Sequence, residues 1–407
     1  MKVLMFGWEF PPVYSGGLGT ACHGLTKGLV NQGVAVTFVM PKGPPDIDGG
    51  HVKLLVADNL KIENLKITKV ESLLLPYLTS GSYESRYRAW TKTSPEAPGA
   101  LYGKDIYHEV WRFGEKAKLI AMDEPDVDVI HAHDWMTYPA GINAKEATGK
   151  PLVVHIHATE FDRTGFNSIN QYVYDIERKG LHAADRVIAV SEYTKNVVTT
   201  HYGVPPDKVT VVHNAVDFSD VPNVQRIPKS DKIVLFLGRI TLQKGPDYFV
   251  RAAKRVLDID PNVTFIMAGS GDMTNRMIEM SSHLGIASKM LFAGFLTGKD
   301  IDHAYRMADV FVMPSVSEPF GITPLEAMRN GTPVIISKQS GVSEVIRHCL
   351  KVDFWDIDDM ADKILTTLRY GSLHGQLKDS GLEEVRTFNW SVPAQKCKNV
   401  YEQVMAW

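Results

Sequence analysis

Two carboxylates, Glu318 and Glu326, bracket the stretch Ser315–Met328, and two cations, Arg239 and Lys244, sit in a loop bounded by Gly238 and Gly245. The first stretch predicts a helix start with Thr323 as N-cap, Pro324 at the first helical position and Glu326 three residues after the cap. A helix start offers free N–H groups and the positive end of a dipole, which suits a phosphate. A capping box alone would account for Glu326, and a solvated loop for Glu318. The second loop adds two cations and several backbone N–H groups, a set that suits a diphosphate. It is not a P-loop, because G-x-x-x-x-G-K-[ST] is absent.

Other residues invite different chemistry. Two H-x-H pairs, His131/His133 and His155/His157, lie near Asp134 and raise a zinc reading. In a strand, residues two apart share a face, so packing of His155 in the core is the plainer reading, and no metal is expected. Asp-x-Asp, a metal-binding pattern, occurs at Asp46, Asp126, Asp258 and Asp356, positions that read as helix ends and strand entries. The pair Gly16-Gly17 opens a predicted helix, but Gly17-Leu18-Gly19 lacks the third glycine of a dinucleotide fingerprint.

The elements that would carry these residues alternate strand and helix. Val3 to Phe6 reads as a strand. A helix with Leu18, Cys22, Leu25 and Leu29 on one face follows and ends at Gly33, and Val34 to Met40 is the next strand. Asp126–Ile130, Leu152–Ile156, Val187–Val190 and Val209–Val212 read as further strands. The polar groups His131 to Trp135, His157 to Arg163, and His213-Asn214 fall at their C-terminal ends, where open α/β sheets bind ligands. Val216 to Asp231 has prolines, polar residues and no periodicity, as an interdomain linker does. A second series follows, with strands at Ile233–Leu237, Val263–Ala268, Val310–Met313 and Val334–Ile336. Two Rossmann-like parallel-sheet α/β domains facing a cleft are the expected fold, and the cleft is the natural ligand site. The segment 77–113 is rich in Tyr and Trp, interleaved with Arg86, Arg88, Lys92 and Arg112. Packing of a helical excursion and a carbohydrate or nucleic-acid surface both fit it.

Composition narrows the classes. The chain has 407 residues, 44% apolar and 22% charged, with a net charge of −3. That gives a full core and no general attraction to nucleic acid or to an anionic membrane. Cys22, Cys349 and Cys397 are odd in number and far apart, so a reducing cytoplasm is expected rather than a disulfide framework. No apolar run reaches membrane-spanning length, and the N-terminal run is too short for a signal peptide.

Gly238-Arg239 with Lys244-Gly245, followed by Glu318-Pro319-Phe320-Gly321 and Glu326, resembles the GT-B glycosyltransferases. It is most similar to the retaining nucleotide-sugar enzymes of family 4 and to glycogen and starch synthases. Gly16-Gly17-Leu18 resembles their N-terminal glycine loop, His131–Trp135 a glycogen-synthase segment, and Phe388 to Tyr401 their last helices. The resemblance implies an N-terminal acceptor-side domain over 1–215, a nucleotide-sugar domain over 216–385, and a helix over 386–407 returning to the first domain. It implies a UDP- or ADP-sugar donor, a carbohydrate or other hydroxyl acceptor, possibly a glucan, and a metal-independent retaining hexosyl transfer with glucose foremost and no cofactor. Arg239, Lys244, Gly321 and the N–H groups of Ile322 and Thr323 would bind the diphosphate, and Glu326 the ribose. Glu318 would contact the sugar and its oxocarbenium-like transition state, and His157 a sugar hydroxyl or the reacting centre. Gly17 would approach the donor phosphate, and Asp134 and Asn214 would lie on the acceptor and sugar side. Bacterial glycogen synthases carry lysine where this chain has Tyr14, which argues against ADP-glucose and glycogen. A nucleotide-sugar epimerase of the same fold and a zinc hydrolase built on the H-x-H pairs are the alternatives.

Overall fold

The computed structural model describes residues 1–11, 16–43, 49–57, 106–218 and 231–406. Tyr14, Asp46, residues 77–105 of the aromatic-rich segment and most of the 216–231 stretch lie outside the described residues.

The first half runs β1 (Lys2–Phe6), α1 (Gly17–Asn31), β2 (Ala35–Met40), β3 (Lys53–Val56), α2 (Ile106–Asp123), β4 (Val129–His133), α3 (Tyr138–Thr148) and β5 (Leu152–Ile156). It continues through α4 (Glu160–Thr164), α5 (Gln171–Ala183), β6 (Arg186–Ala189), α6 (Glu192–Tyr202) and β7 (Val209–Val211). The second half runs β8 (Lys232–Leu237), α7 (Pro246–Leu257), β9 (Val263–Ala268), α8 (Thr274–His283), β10 (Met290–Gly294), α9 (Lys299–Met307) and β11 (Val310–Met313). After it come α10 (Thr323–Arg329), β12 (Val334–Ser337), β13 (Leu350–Val352), α11 (Ile357–Arg369), α12 (Gly371–Val385) and α13 (Ser391–Met405).

Two separate parallel sheets result. Seven strands take the order β3-β2-β1-β4-β5-β6-β7, and six take β10-β9-β8-β11-β12-β13. Both faces of each sheet are covered by helices, so β1, β5, β11 and β12 are nearly continuous apolar runs rather than alternating ones. Three strands escape the sequence pattern. β13 is only three residues long, β10 leaves most of its residues exposed, and β3 lies in a stretch without periodicity. β4 also takes in His131 and His133, which the sequence places after the strand. His131 pairs with Met5 on β1 and Val153 on β5, and His133 pairs with His155 on β5. Polar side chains at the end of a buried strand imitate a loop.

The first sheet has two cores. One lies under α2, α3, α5 and α6, and the other under α1 and α13. In the second core, α13 crosses from the end of the chain onto the first half. Trp390 lies over Gly24, where a Cβ would come within 2.1 Å of the indole, and the Trp390 carbonyl lies over Gly28, where a Cβ would come within 2.5 Å. Two glycines one turn apart on α1 therefore let the helices approach.

Candidate functional site

In each sheet the strand order reverses beside the first strand of its series, between β1 and β4 and between β8 and β11. The loops leaving these strands diverge to opposite sides and open a crevice at their C-terminal ends. The loop after β8 carries Arg239 and Lys244, and the loop after β11 carries Glu318 to Thr323. From the first half come the loop after β1, with Glu9 and Gly16, and the end of β4, with His133 and Asp134.

On the second half, Lys244 Nζ and a Glu318 carboxylate oxygen form an ion pair, and Ser315 Oγ donates to the same oxygen at 3.1 Å. Glu318 is buried rather than solvated, and its backbone bridges to Gln339 and Gly341 beyond β12. Gly321 has φ +95°, and a Cβ there would crowd the Glu318 stem at 3.1 Å, so glycine is needed for the turn. Arg239 donates to Gln243 Oε1 at 2.8 Å. The structure thus brings Lys244, Glu318, Ser315 and the 318–323 turn into one cluster.

The predicted capping box does not form. Ile322 is the N-cap, Thr323 is already helical, and neither side chain caps the helix. Thr323 Oγ1 turns to Met313 Sδ at 3.8 Å, and the Glu326 carboxylate accepts from Tyr305 O–H at 3.1 Å. Tyr305 offers a buried hydroxyl on α9, a partner invisible to a four-residue motif. The N–H groups of Ile322 and Thr323 have no acceptor among the described residues. Burial raises Glu326 above the usual carboxylate range.

The first half brings a second helix start to the crevice, that of α1. Glu9, missed by the sequence reading, is buried and accepts from Gly19 N–H at 2.7 Å and Gly16 N–H at 3.3 Å, closing the start of α1. Burial pushes it up to about 7 against the pull of those N–H groups and of Arg239 across the cleft. A Cβ on Gly17 would meet nothing within 4 Å among the described residues.

Asp134 is one of three described non-glycine residues with positive φ, at +59°. Its Oδ1 accepts from His157 N–H at 2.6 Å and Ala158 N–H at 3.3 Å, while Oδ2 is buried without a partner among the described residues. Burial pushes it up to about 7. A strained backbone and an unclaimed carboxylate oxygen at a strand end mark a place where packing has not been optimised. Asn214 follows β7, is buried, and makes no side-chain hydrogen bond to the described residues.

The H-x-H pairs come together as a stack. His131, His133 and His155 bring ring nitrogens within 4.8 Å of one another, and the Cys22 sulfur lies within the same distance of ring nitrogens of His133 and His157, which are equally close to each other. His131 and His155 lie 8° from parallel, and His133 and His155 lie 30° from parallel. Imidazole lone pairs lie in the ring plane, so the near-parallel rings of His131 and His155 do not readily converge on one tetrahedral ion. The geometry of the rings does not favour the zinc hydrolase reading. The remaining Asp-x-Asp residues do structural work: Asp126 pairs with Lys2, Asp258 with Lys254, and Asp356 caps α11.

The two halves meet at the 315–322 loop. Ser317 Oγ donates to Asp162 Oδ1 at 2.5 Å and lies 2.9 Å from Tyr193 O–H. Ser191 and Thr194, at the start of α6, donate to the Pro319 carbonyl. Glu344 accepts from the N–H groups of Glu192 and Tyr193 at 3.0 and 2.6 Å. None of these partners has a motif signal, because each contact joins residues more than a hundred positions apart. A cavity of about 280 Å³ lined by Leu4, Met122, Val127, Ile130 and Lys150 touches none of these residues.

Comparison with known proteins agrees with this arrangement. The profile of Glycosyltransferase Family 4 matches residues 15–220, and that of Glycosyl transferases group 1 matches residues 217–382. An uncharacterized glycosyltransferase of Methanocaldococcus jannaschii is 30% identical over 100% of this chain and 99% of its own length. The glycogen synthase of Mycobacterium tuberculosis is 27% identical over 85% of this chain and 80% of its own length. Among solved structures, sucrose-phosphate synthase from Thermosynechococcus elongatus superimposes with a TM-score of 0.77 at 19% identity, covering 100% of this chain and 99% of the other. Anabaena HepE in complex with UDP-glucose superimposes with a TM-score of 0.71 at 16% identity, covering 99% and 100%. The chain belongs to glycosyltransferase family 4 and is a glycosyltransferase of the GT-B fold.

Proposed function

We propose that this glycosyltransferase is a retaining, metal-independent hexosyltransferase that moves glucose from a nucleoside-diphosphate sugar to a hydroxyl acceptor. The observation that carries the reading is the cluster of Lys244, Glu318 and the unclaimed N–H groups of Ile322 and Thr323 at one switch point. Breaking a sugar–phosphate bond builds negative charge on the leaving diphosphate, and cations and aimed N–H groups stabilise it most when they are already in place. Arg239 and Lys244 supply the cations, and the start of α10 supplies the donors. Glu318, released from Lys244 when the diphosphate takes its place, would face the sugar as positive charge develops at the anomeric carbon. Glu326 would exchange its Tyr305 bond for the ribose hydroxyls. His157 and Asp134, at the ends of β5 and β4, would line the sugar and acceptor side, with Asn214 close to the same edge. Retention follows if the leaving phosphate takes the acceptor's proton on the face it departs from.

The donor is a UDP-sugar by preference, since Anabaena HepE was solved with UDP-glucose and shares the fold. A thermal-shift series with UDP, ADP and GDP tests this. A ligand at about a hundred times its dissociation constant stabilises the folded state by about 2.7 kcal/mol. A rise with one nucleotide that persists in EDTA supports the reading. No rise with any of the three, or loss of turnover in EDTA, would sink it.

A further inference from the structure

The buried histidine stack contains one contact with a consequence for the site. His133 Nδ1 lies 2.9 Å from His157 Nε2. Burial holds both rings neutral, His157 down to about 3. One proton therefore occupies the contact, and two arrangements are open. In the first, His133 carries its proton on Nδ1 and donates to His157 Nε2. In the second, His157 carries its proton on Nε2 and donates to His133. The two differ at the far side of His133, whose Nε2 is fully buried and has no partner among the described residues. The second arrangement strands an N–H there, and buried N–H groups without acceptors are rarer than bare acceptors. The first leaves only a lone pair.

We propose that His133 is a positioning residue that donates Nδ1–H to His157 Nε2 and so holds His157 in its Nδ1–H tautomer. With Nε2 engaged, Nδ1 is the ring nitrogen left for a ligand. It has no partner among the described residues, and His157 is partly exposed, whereas His133 is fully buried. His157 then meets the substrate as a hydrogen-bond donor only. It can hold a sugar hydroxyl oxygen but cannot take the acceptor's proton. The backbone reinforces the arrangement, because Asp134 Oδ1 accepts from His157 N–H and ties the end of β5 to the end of β4. This inference rests on the reading of His157 as a sugar-side residue.

Long-range proton–nitrogen spectra of the whole protein labelled with ¹⁵N-histidine test the tautomer without turnover, with His157 assigned by its loss in His157→Ala. A protonated Nδ1 and a bare Nε2 on His157 are expected, and a protonated Nε2 overturns the proposal. Hydrolysis of UDP-glucose, or of ADP-glucose if ADP is the nucleotide that raises the melting temperature, supplies the kinetic arm. His133→Asn keeps an N–H near the Nδ1 position and should hold kcat within about threefold of the parent. His133→Phe keeps the ring without the donor and should lower kcat about tenfold or more, with the melting temperature unchanged or raised. Equal losses in both variants, or a parent-like kcat in His133→Phe, would overturn the positioning role. A parent-like rate in His157→Ala would instead remove the sugar-side reading of His157, and the spectra would still decide the tautomer.

Discussion

Lys244 and Glu318 neutralise each other in an ion pair, so in the proposed reaction a diphosphate has to part them before either can act. Substituting one leaves the other partly buried and unpaired, and the two substitutions should differ in what they cost. Lys244→Ala removes a cation from the leaving group and should lower turnover about a hundredfold or more while abolishing most of the thermal shift with the preferred nucleotide. Glu318→Ala removes the carboxylate from the sugar side and should lower turnover comparably, yet keep the nucleotide shift, because it frees Lys244. Steady-state kinetics and melting curves on the two variants check both statements. Parent-like turnover in both would remove the site.

At the level of elements, α10 separates what a motif suggests from what the helix does. An N-cap threonine replaced by alanine costs about 1 kcal/mol. Thr323 does not cap, so Thr323→Ala should cost less than about 0.5 kcal/mol in urea denaturation, as an ordinary surface change does. A full capping loss would restore the sequence reading. The seam between α1 and α13 makes the opposite case, since Gly24 looks like a defect in a helix. Alanine there gains about 1 kcal/mol of helix propensity. Its Cβ would also come within 2.1 Å of the Trp390 ring, and overpacking of that kind costs about 1–3 kcal/mol. Gly24→Ala should therefore be destabilising overall, and Gly24→Ala combined with Trp390→Leu less so than the sum of the two. Denaturation of the single and double variants tests this.

Across the whole molecule, the buried titratable groups pull stability in opposite directions with pH. His131 and His157 are held down to about 3, below the ordinary 6.5, so the unfolded chain binds more protons in that window. Their stabilisation is present above about pH 6.5 and is lost as pH falls toward 3. Glu9 and Asp134 are pushed up to about 7, so the folded chain binds more protons, and stability falls as pH rises from about 4 to 7. Glu9→Gln keeps one acceptor oxygen, enough for the shorter bond from Gly19 N–H, loses the weaker bond from Gly16 N–H, and carries no charge to bury. Its stability relative to the parent should rise by about 2–3 kcal/mol between pH 4 and pH 7.5, measured by urea denaturation across pH; parallel curves would show that Glu9 does not titrate there. The two parallel sheets were legible in the chain because strands buried on both faces leave apolar runs, and turn residues punctuate them. The strand at Leu152–Ile156 agrees to the residue. The residues proposed for the donor side could be picked out from local patterns, since each sits beside its own strand or helix start. Glu9, Tyr305 and Ser317 could not, and neither could the pairing of His133 with His157. Residue type and local order by themselves determined two α/β series and the loops that carry charge. Only the tertiary structure decided which loops face one another and which polar atoms stay unclaimed, because those depend on strand order, and strand order is set by packing between residues far apart in the chain.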